Sequence, residues 1–190
     1  MAKYFLKIFE SDIEGSIMKI SRVWAMPNKN TFQIKPIKEL LQEEMEPGLW
    51  IDPFSGGSNL ATITNDLNPE IQADHHLTAQ AFLESFKDKS VDGVLYDPPY
   101  SVRQVSECYK KFGLAITQET TRADWWTKLK IEIARIVKSG GKVISFGWNS
   151  SGIGKKLGFE IIRILLVPHG GIHNDTICVV ERKLSDLFSP

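Results

Sequence analysis

The chain has 190 residues, 42% of them hydrophobic and 24% charged, an ordinary balance for a globular protein able to bury a sizeable core. Lys/Arg and Asp/Glu each number 23, so the net charge is zero, which argues against a strongly nucleic-acid-binding surface. No apolar run reaches the length of a membrane span, and two cysteines, Cys108 and Cys178, make neither a disulfide framework nor a zinc site.

Taken in order, the first 25 residues read as one or two short strands, with SIMKISRVWAM the clearer, followed by the polar turn PNKNTF. MAKYFLKIFESD carries no signal-peptide cleavage pattern, so a cytoplasmic location is expected. KPIKELLQEEMEPG predicts a helix. Pro36 suits a first helical position, Ile37, Leu40, Leu41 and Met45 line one face, and Gly48 follows the end. The strand LWIDPF runs into Gly56-Gly57, ATITND ends at Asp66, and a third candidate strand, QADHH, contains Asp74. LTAQAFLESF looks helical, and VDGVLYD is a short apolar run that stops at Pro98-Pro99.

Residues 101–124 are polar and too weakly periodic to assign. WWTKLKIEIARIVKSGG predicts an amphipathic helix stopped by Gly140, and KVISFG, FEIIRILLVP and DTICVVERK predict closing strands. Strands alternating with helices predict an α/β fold with a mainly parallel sheet, one domain over residues 1–190. Phe54 to Ala61 is too short for the crossover helix that joins parallel strands. Either that helix is missing or ATITND is not the usual second strand.

In open α/β sheets ligands sit beyond the carboxyl ends of the strands. Three such ends carry acids before turn formers: Asp52-Pro53-Phe54, Asn65-Asp66 and Asp97-Pro98-Pro99-Tyr100. Neighbouring acids repel unless something cationic or hydroxyl-rich lies between them. A ligand with ribose hydroxyls and a positive centre suits them.

DPFSGGS, then NDLNPE, then DPPY resembles the S-adenosylmethionine-dependent methyltransferases that modify exocyclic amines of DNA bases. TFQIKPIKELL upstream and HGGIHNDTICVVERK downstream resemble further motifs of that family, and the whole string is similar to small adenine-specific enzymes of phages. The resemblance covers residues 24 to 183. It implies a Rossmann-like methyltransferase fold, mostly parallel with an antiparallel last strand, and transfer of a methyl group to adenine N6, with cytosine N4 as the near alternative. An RNA or protein amine, or a non-catalytic binding subunit, remains as a further alternative.

The resemblance also assigns roles. Asp97 and the Pro98 carbonyl hold the target amine, Pro99 stiffens the turn and Tyr100 stacks on a base flipped out of its helix. Asp52, Phe54 and Gly56 form the cofactor loop, Asp66 accepts from the ribose hydroxyls, and Thr31 and Lys35 lie near the cofactor carboxylate. Asp74 is a fallback for the adenine end, because relatives carry an acid where this chain has Thr78. His169, Asn174 and Asp175 face the base, although a hairpin turn explains GGIHND nearly as well. A tight turn is the alternative reading of the glycine loop, and a solvated helix start is the alternative for Lys35.

The adjacent His75 and His76 point to opposite faces of a strand and are poor joint ligands, so no metal is expected. Residues 1–95 hold 9 Lys/Arg against 14 Asp/Glu and residues 96–190 hold 14 against 9, which leaves a basic second half. Arg103, Lys110, Lys111 and Arg122 are candidate phosphate contacts in a DNA-contacting loop. DNA is the expected partner, with other nucleic acid as the alternative. No separate target-recognition domain is expected, which leaves specificity relaxed or supplied by a recognition subunit or a homodimer.

Overall fold

The computed structural model describes residues 12–13, 16–111, 124–171 and 173–185. Two short strands, β1 (Asp12–Ile13) and β2 (Ser16–Ile17), pair as an antiparallel ribbon. Then follow β3 (Lys19–Arg22), α1 (Lys35–Glu44), β4 (Trp50–Asp52), β5 (Ile63–Thr64), α2 (Ala79–Glu84) and β6 (Val91–Tyr96). The chain continues with α3 (Val102–Lys111), α4 (Asp124–Ile136), β7 (Val137–Gly147), β8 (Phe159–Val167) and β9 (Thr176–Lys183). Arg122 and the side chain of Lys111 lie outside the described residues.

Seven strands form one sheet in the order β3-β8-β9-β7-β6-β4-β5. Every neighbouring pair is parallel except those made by β9, which runs antiparallel to both β7 and β8. This is the mixed sheet that the sequence predicts. Helix α1 forms because Pro36 is compatible with the first turn and Ile37, Leu40 and Leu41 are spaced to bury one stripe.

Alternation along the strands splits the core in two. Val94 and Tyr96 of β6 pack with Val143, Leu129 and Ile133 on the side of α2 and α4. Leu95 and Ile144 face the other way, against Ile37, Leu40 and Leu41 of α1. Full burial of such side chains stabilises the fold by roughly 1.5–3 kcal/mol each before ordering costs.

Residues 53–62 join β4 to β5 through turns without a helix. The loop is held by backbone bonds from Ser55 N to Asn65 O and from Asn65 N to Asp52 O, at 2.9 and 2.8 Å. ATITND is therefore the second strand, shortened to two residues, and the first crossover helix is absent. QADHH shrinks to a single parallel bridge between Asn65 and His75.

One boundary differs from the periodicity. α4 ends at Ile136, and Val137 through Gly141 belong to β7, whose register against β6 shifts between Val91 and Gly93. Val137 is fully buried and pairs with Val91. Gly140 lies in that irregularity and does not stop the helix.

Candidate active site

The carboxyl ends of β4, β5 and β6 meet around three acids. Asp52 is fully buried; its Oδ1 accepts from Phe54 N at 2.9 Å, and its Oδ2 has no hydrogen-bond partner among the described residues. Burial pushes the Asp52 carboxyl well above the usual range, and the charges of Asp97 and Asp66 push the same way. Asp66 accepts from Gly56 N at 2.9 Å and from Asn68 N at 2.8 Å, and so ties the glycine loop to the end of β5.

Gly56 has φ +54°, a left-handed conformation that side chains rarely adopt, and a Cβ there would meet nothing within 4 Å. The loop is thus open at this position. A cavity of about 170 Å³ lies along it, lined by Asn30, Thr31, Ser55 and Gly56 among others. It shares Thr31, Phe54 and Asp97 with a larger, mostly apolar cavity of about 420 Å³ that reaches Asp66, Leu67 and Leu77.

Asp97 follows β6 and is half-buried. It accepts hydrogen bonds from the hydroxyls of Tyr100 and Thr31, which oppose the upward push of burial on its carboxyl. The turn is fixed from outside by two contacts: Trp126 Nε1 donates to Pro99 O at 3.0 Å, and Gln104 Oε1 accepts from Tyr100 N at 2.7 Å. Tyr100 meets Trp148 edge-on at 5.4 Å between centroids. Pro98, Pro99 and Tyr100 line both the large cavity and a third one of about 270 Å³ behind them.

The structure therefore gathers Thr31, Phe54, Gly56, Asp66, Asp97, Pro98, Pro99 and Tyr100 around connected space. Asp52 sits beneath the glycine loop and lines none of these three cavities. Lys35 is exposed and pairs weakly with Glu39 at 4.0 Å. Asp74 lines a separate polar cavity, where it accepts from Thr64 N and Oγ1 at 2.8 Å. Thr78 caps α2, accepting from Ala81 N at 3.3 Å.

Arg103 is exposed on α3 and paired with Glu107 at 2.7 Å, with Lys110 exposed on the same helix. His169 is buried in the β8–β9 connection, where Nδ1 contacts Ala25 O and Nε2 contacts Thr176 Oγ1, both at 2.9 Å. Asn174 and Asp175 are exposed there, and Asp175 accepts from His169 N at 3.3 Å. This late segment lines none of the three cavities.

Sequence reasoning passed over several residues that build the site. Asn65 is buried and holds the loops after β4 and β5 together, donating to Pro53 O and Leu77 O and accepting from Leu77 N. Its place beside Asp66 was the one available signal. Ser55 is buried on the small cavity with its hydroxyl unpartnered. Trp125, Trp126 and Trp148 come from helix and loop positions that no short motif marks. Among the described residues, no group of three or more His, Cys, Asp or Glu could hold a metal ion, and no helix is long and apolar enough to cross a membrane.

No protein-family model and no curated protein sequence matches the chain. Solved structures do match in shape. Thermus thermophilus TrmN is 18% identical with a TM-score of 0.50 over 80% of this chain, which spans about half (49%) of that protein's length. The Burkholderia thailandensis 1,6-didemethyltoxoflavin-N1-methyltransferase, solved with 1,6-didemethyltoxoflavin and S-adenosylhomocysteine, is 12% identical with a TM-score of 0.52, covering 78% of this chain and 76% of that one. A chain of the Haloferax volcanii complex between the Trm112 methyltransferase activator and a methyltransferase is 13% identical with a TM-score of 0.54, covering 82% and 90%. The chain thus has the fold of the Rossmann-like methyltransferases.

Proposed function

We propose that this protein is an S-adenosylmethionine-dependent methyltransferase acting on an exocyclic amine of a nucleic-acid base, with adenine N6 in DNA as the acceptor. The observation that carries the reading is the placement of Asp97-Pro98-Pro99-Tyr100. The motif stands at the junction of the cavity along the glycine loop, the large cavity reaching Asp66, and the space behind the prolines.

The residues present fit the cofactor. The open left-handed turn at Gly56 and the unpartnered Ser55 hydroxyl suit a polar amino-acid end. Asp66, next to Leu67 and Leu77, offers an acceptor for ribose hydroxyls beside an apolar shelf for a purine ring. When bound, S-adenosylmethionine supplies an electrophilic methyl group.

The chain's own part is positioning. An exocyclic amine is a weak nucleophile because its lone pair is delocalised into the ring. A carboxylate oxygen of Asp97 on one N–H and the Pro98 carbonyl on the other draw the nitrogen toward a pyramidal, nucleophilic geometry. Asp97 then receives the proton that the nitrogen sheds, a task suited to a carboxyl raised by burial. The aromatic face of Tyr100 holds the ring once the base has left its stack.

The test is transfer of labelled methyl from S-adenosylmethionine to unmethylated DNA by wild type and by Asp97→Ala. Transfer by wild type alone supports the reading. Undiminished transfer by the variant overturns the role of Asp97, and label appearing only in RNA or protein moves the acceptor elsewhere.

A further inference from the structure

The cavity behind the prolines is a built site in its own right. Tyr96 and Ser145 end β6 and β7 and are directly paired in the parallel register, so their side chains leave the same face of the sheet. Both line the cavity and both are more than nine-tenths buried, at 3% and 6% exposure. Neither hydroxyl has a hydrogen-bond partner among the described residues. A buried hydroxyl left without a partner costs roughly 1–3 kcal/mol. Two of them side by side at the end of the sheet mark a surface that a ligand completes.

The rest of the lining says what kind of ligand. Tyr100, Trp126 and Trp148 surround the space with aromatic surface, which suits a planar ring. Lys130 of α4 lines it too, drawn electrostatically toward Glu181. Glu181 lies nearby but is fully buried and committed: it accepts from Ile153 N at 2.6 Å and Gly154 N at 2.9 Å, fixing the loop that carries Trp148. The donors facing the ring's edge are thus two hydroxyls and an ammonium, matched by a heterocycle with carbonyl or ring-nitrogen acceptors.

Resting on the methyltransferase reading above, we infer that this cavity seats the acceptor base, with Tyr96, Ser145 and Lys130 reading its acceptor edge against the aromatic wall of Tyr100, Trp126 and Trp148. The amine-bearing bases adenine and cytosine both carry a ring-nitrogen acceptor next to the amine, and Pro98 lines both this cavity and the large one that Asp97 also lines.

Tyr96→Phe and Ser145→Ala test this, because each removes one unpartnered hydroxyl and little volume. Binding of a short abasic single strand carrying one adenine or cytosine is compared with the fully abasic strand, and S-adenosylhomocysteine binding is measured alongside by calorimetry. The expected result is preference of wild type for the amine-bearing strand and at least about a fivefold loss of that preference in each variant. S-adenosylhomocysteine affinity stays within about twofold and thermal stability is equal or higher, as removal of an unsatisfied hydroxyl requires. Variants that keep the full preference, or a wild type that has none, overturn the assignment. Failure to bind S-adenosylhomocysteine instead removes the cofactor reading, which keeps the two failures apart.

Discussion

Tyr100 donates its hydroxyl to the carboxylate of Asp97, so the group that would hold the target amine is already engaged by the ring that would stack on the base. Thr31 donates to the same carboxylate. The incoming amine must therefore share or replace one of these donors. Tyr100→Phe keeps the aromatic face and frees Asp97, and is expected to leave kcat within about threefold of wild type, whereas Tyr100→Ala raises KM by about tenfold or more. Steady-state methylation kinetics check this. Equal losses in both variants would place the function of Tyr100 in its hydroxyl.

A second prediction concerns pH. Burial raises the carboxyls of Asp52, Asp97 and Glu181. The folded state then favours their neutral forms. Their contribution to stability is full below the unfolded values and is lost as pH rises through each folded value. Asp92, Glu43 and Glu46 are lowered by their Lys or Arg partners. Their contribution is present above the unfolded values and is lost as pH falls through the lowered ones. Asp52→Asn removes the acid with the deepest burial, so its Tm should fall less than that of wild type as pH rises above about 5. Parallel Tm profiles would contradict the buried, raised carboxyl.

The glycine loop gives a third. At Gly56 an added methyl finds open space but meets a left-handed backbone, so Gly56→Ala should cost roughly 1–2 kcal/mol. It should also weaken S-adenosylhomocysteine binding by about tenfold, because the strained turn forms part of the wall of the small cavity. Calorimetry separates the two effects. Unchanged affinity would show that the loop is only a turn.

Gly93 tests the fold independently of the site. It lies in β6, and a Cβ there would come within 2.4 Å of the Trp50 ring, whose Nε1 is tied to Glu46 O at 2.8 Å. The ring cannot retreat without breaking that bond. Gly93→Ala should lower unfolding free energy by about 1–3 kcal/mol in urea titrations.

Much of this was legible in the sequence because it depends on local chemistry. The stripe Ile37, Leu40, Leu41 specifies α1, and the acids before glycine or proline mark the strand ends. The short interval after Phe54 left two readings open, a missing crossover helix or a different second strand, and the pairing of β5 with β4 decides for the first. Val137 to Gly141 misled, because a buried Val following Ile136 continues the helical spacing equally well; only pairing with Val91 across the sheet decides it. Lys35, Asp74 and His169 carry the right chemistry in the right order, yet their side chains meet Glu39, Thr64 and Ala25 away from the three cavities. The wall behind the prolines was illegible for a different reason. Tyr96 and Ser145 look like ordinary strand residues until the register sets them side by side.

Methyl transfer to a base amine held at Asp97 and Pro98, as proposed, would leave a methylated nucleoside in the DNA. Its most direct measurement is the identity of the modified nucleoside after incubation of the protein with methyl-labelled S-adenosylmethionine and unmethylated DNA, followed by complete digestion and mass spectrometry. Labelled N6-methyladenine from wild type, and none from Asp97→Ala, is the expected result. A digest in which no nucleoside carries the label would contradict it.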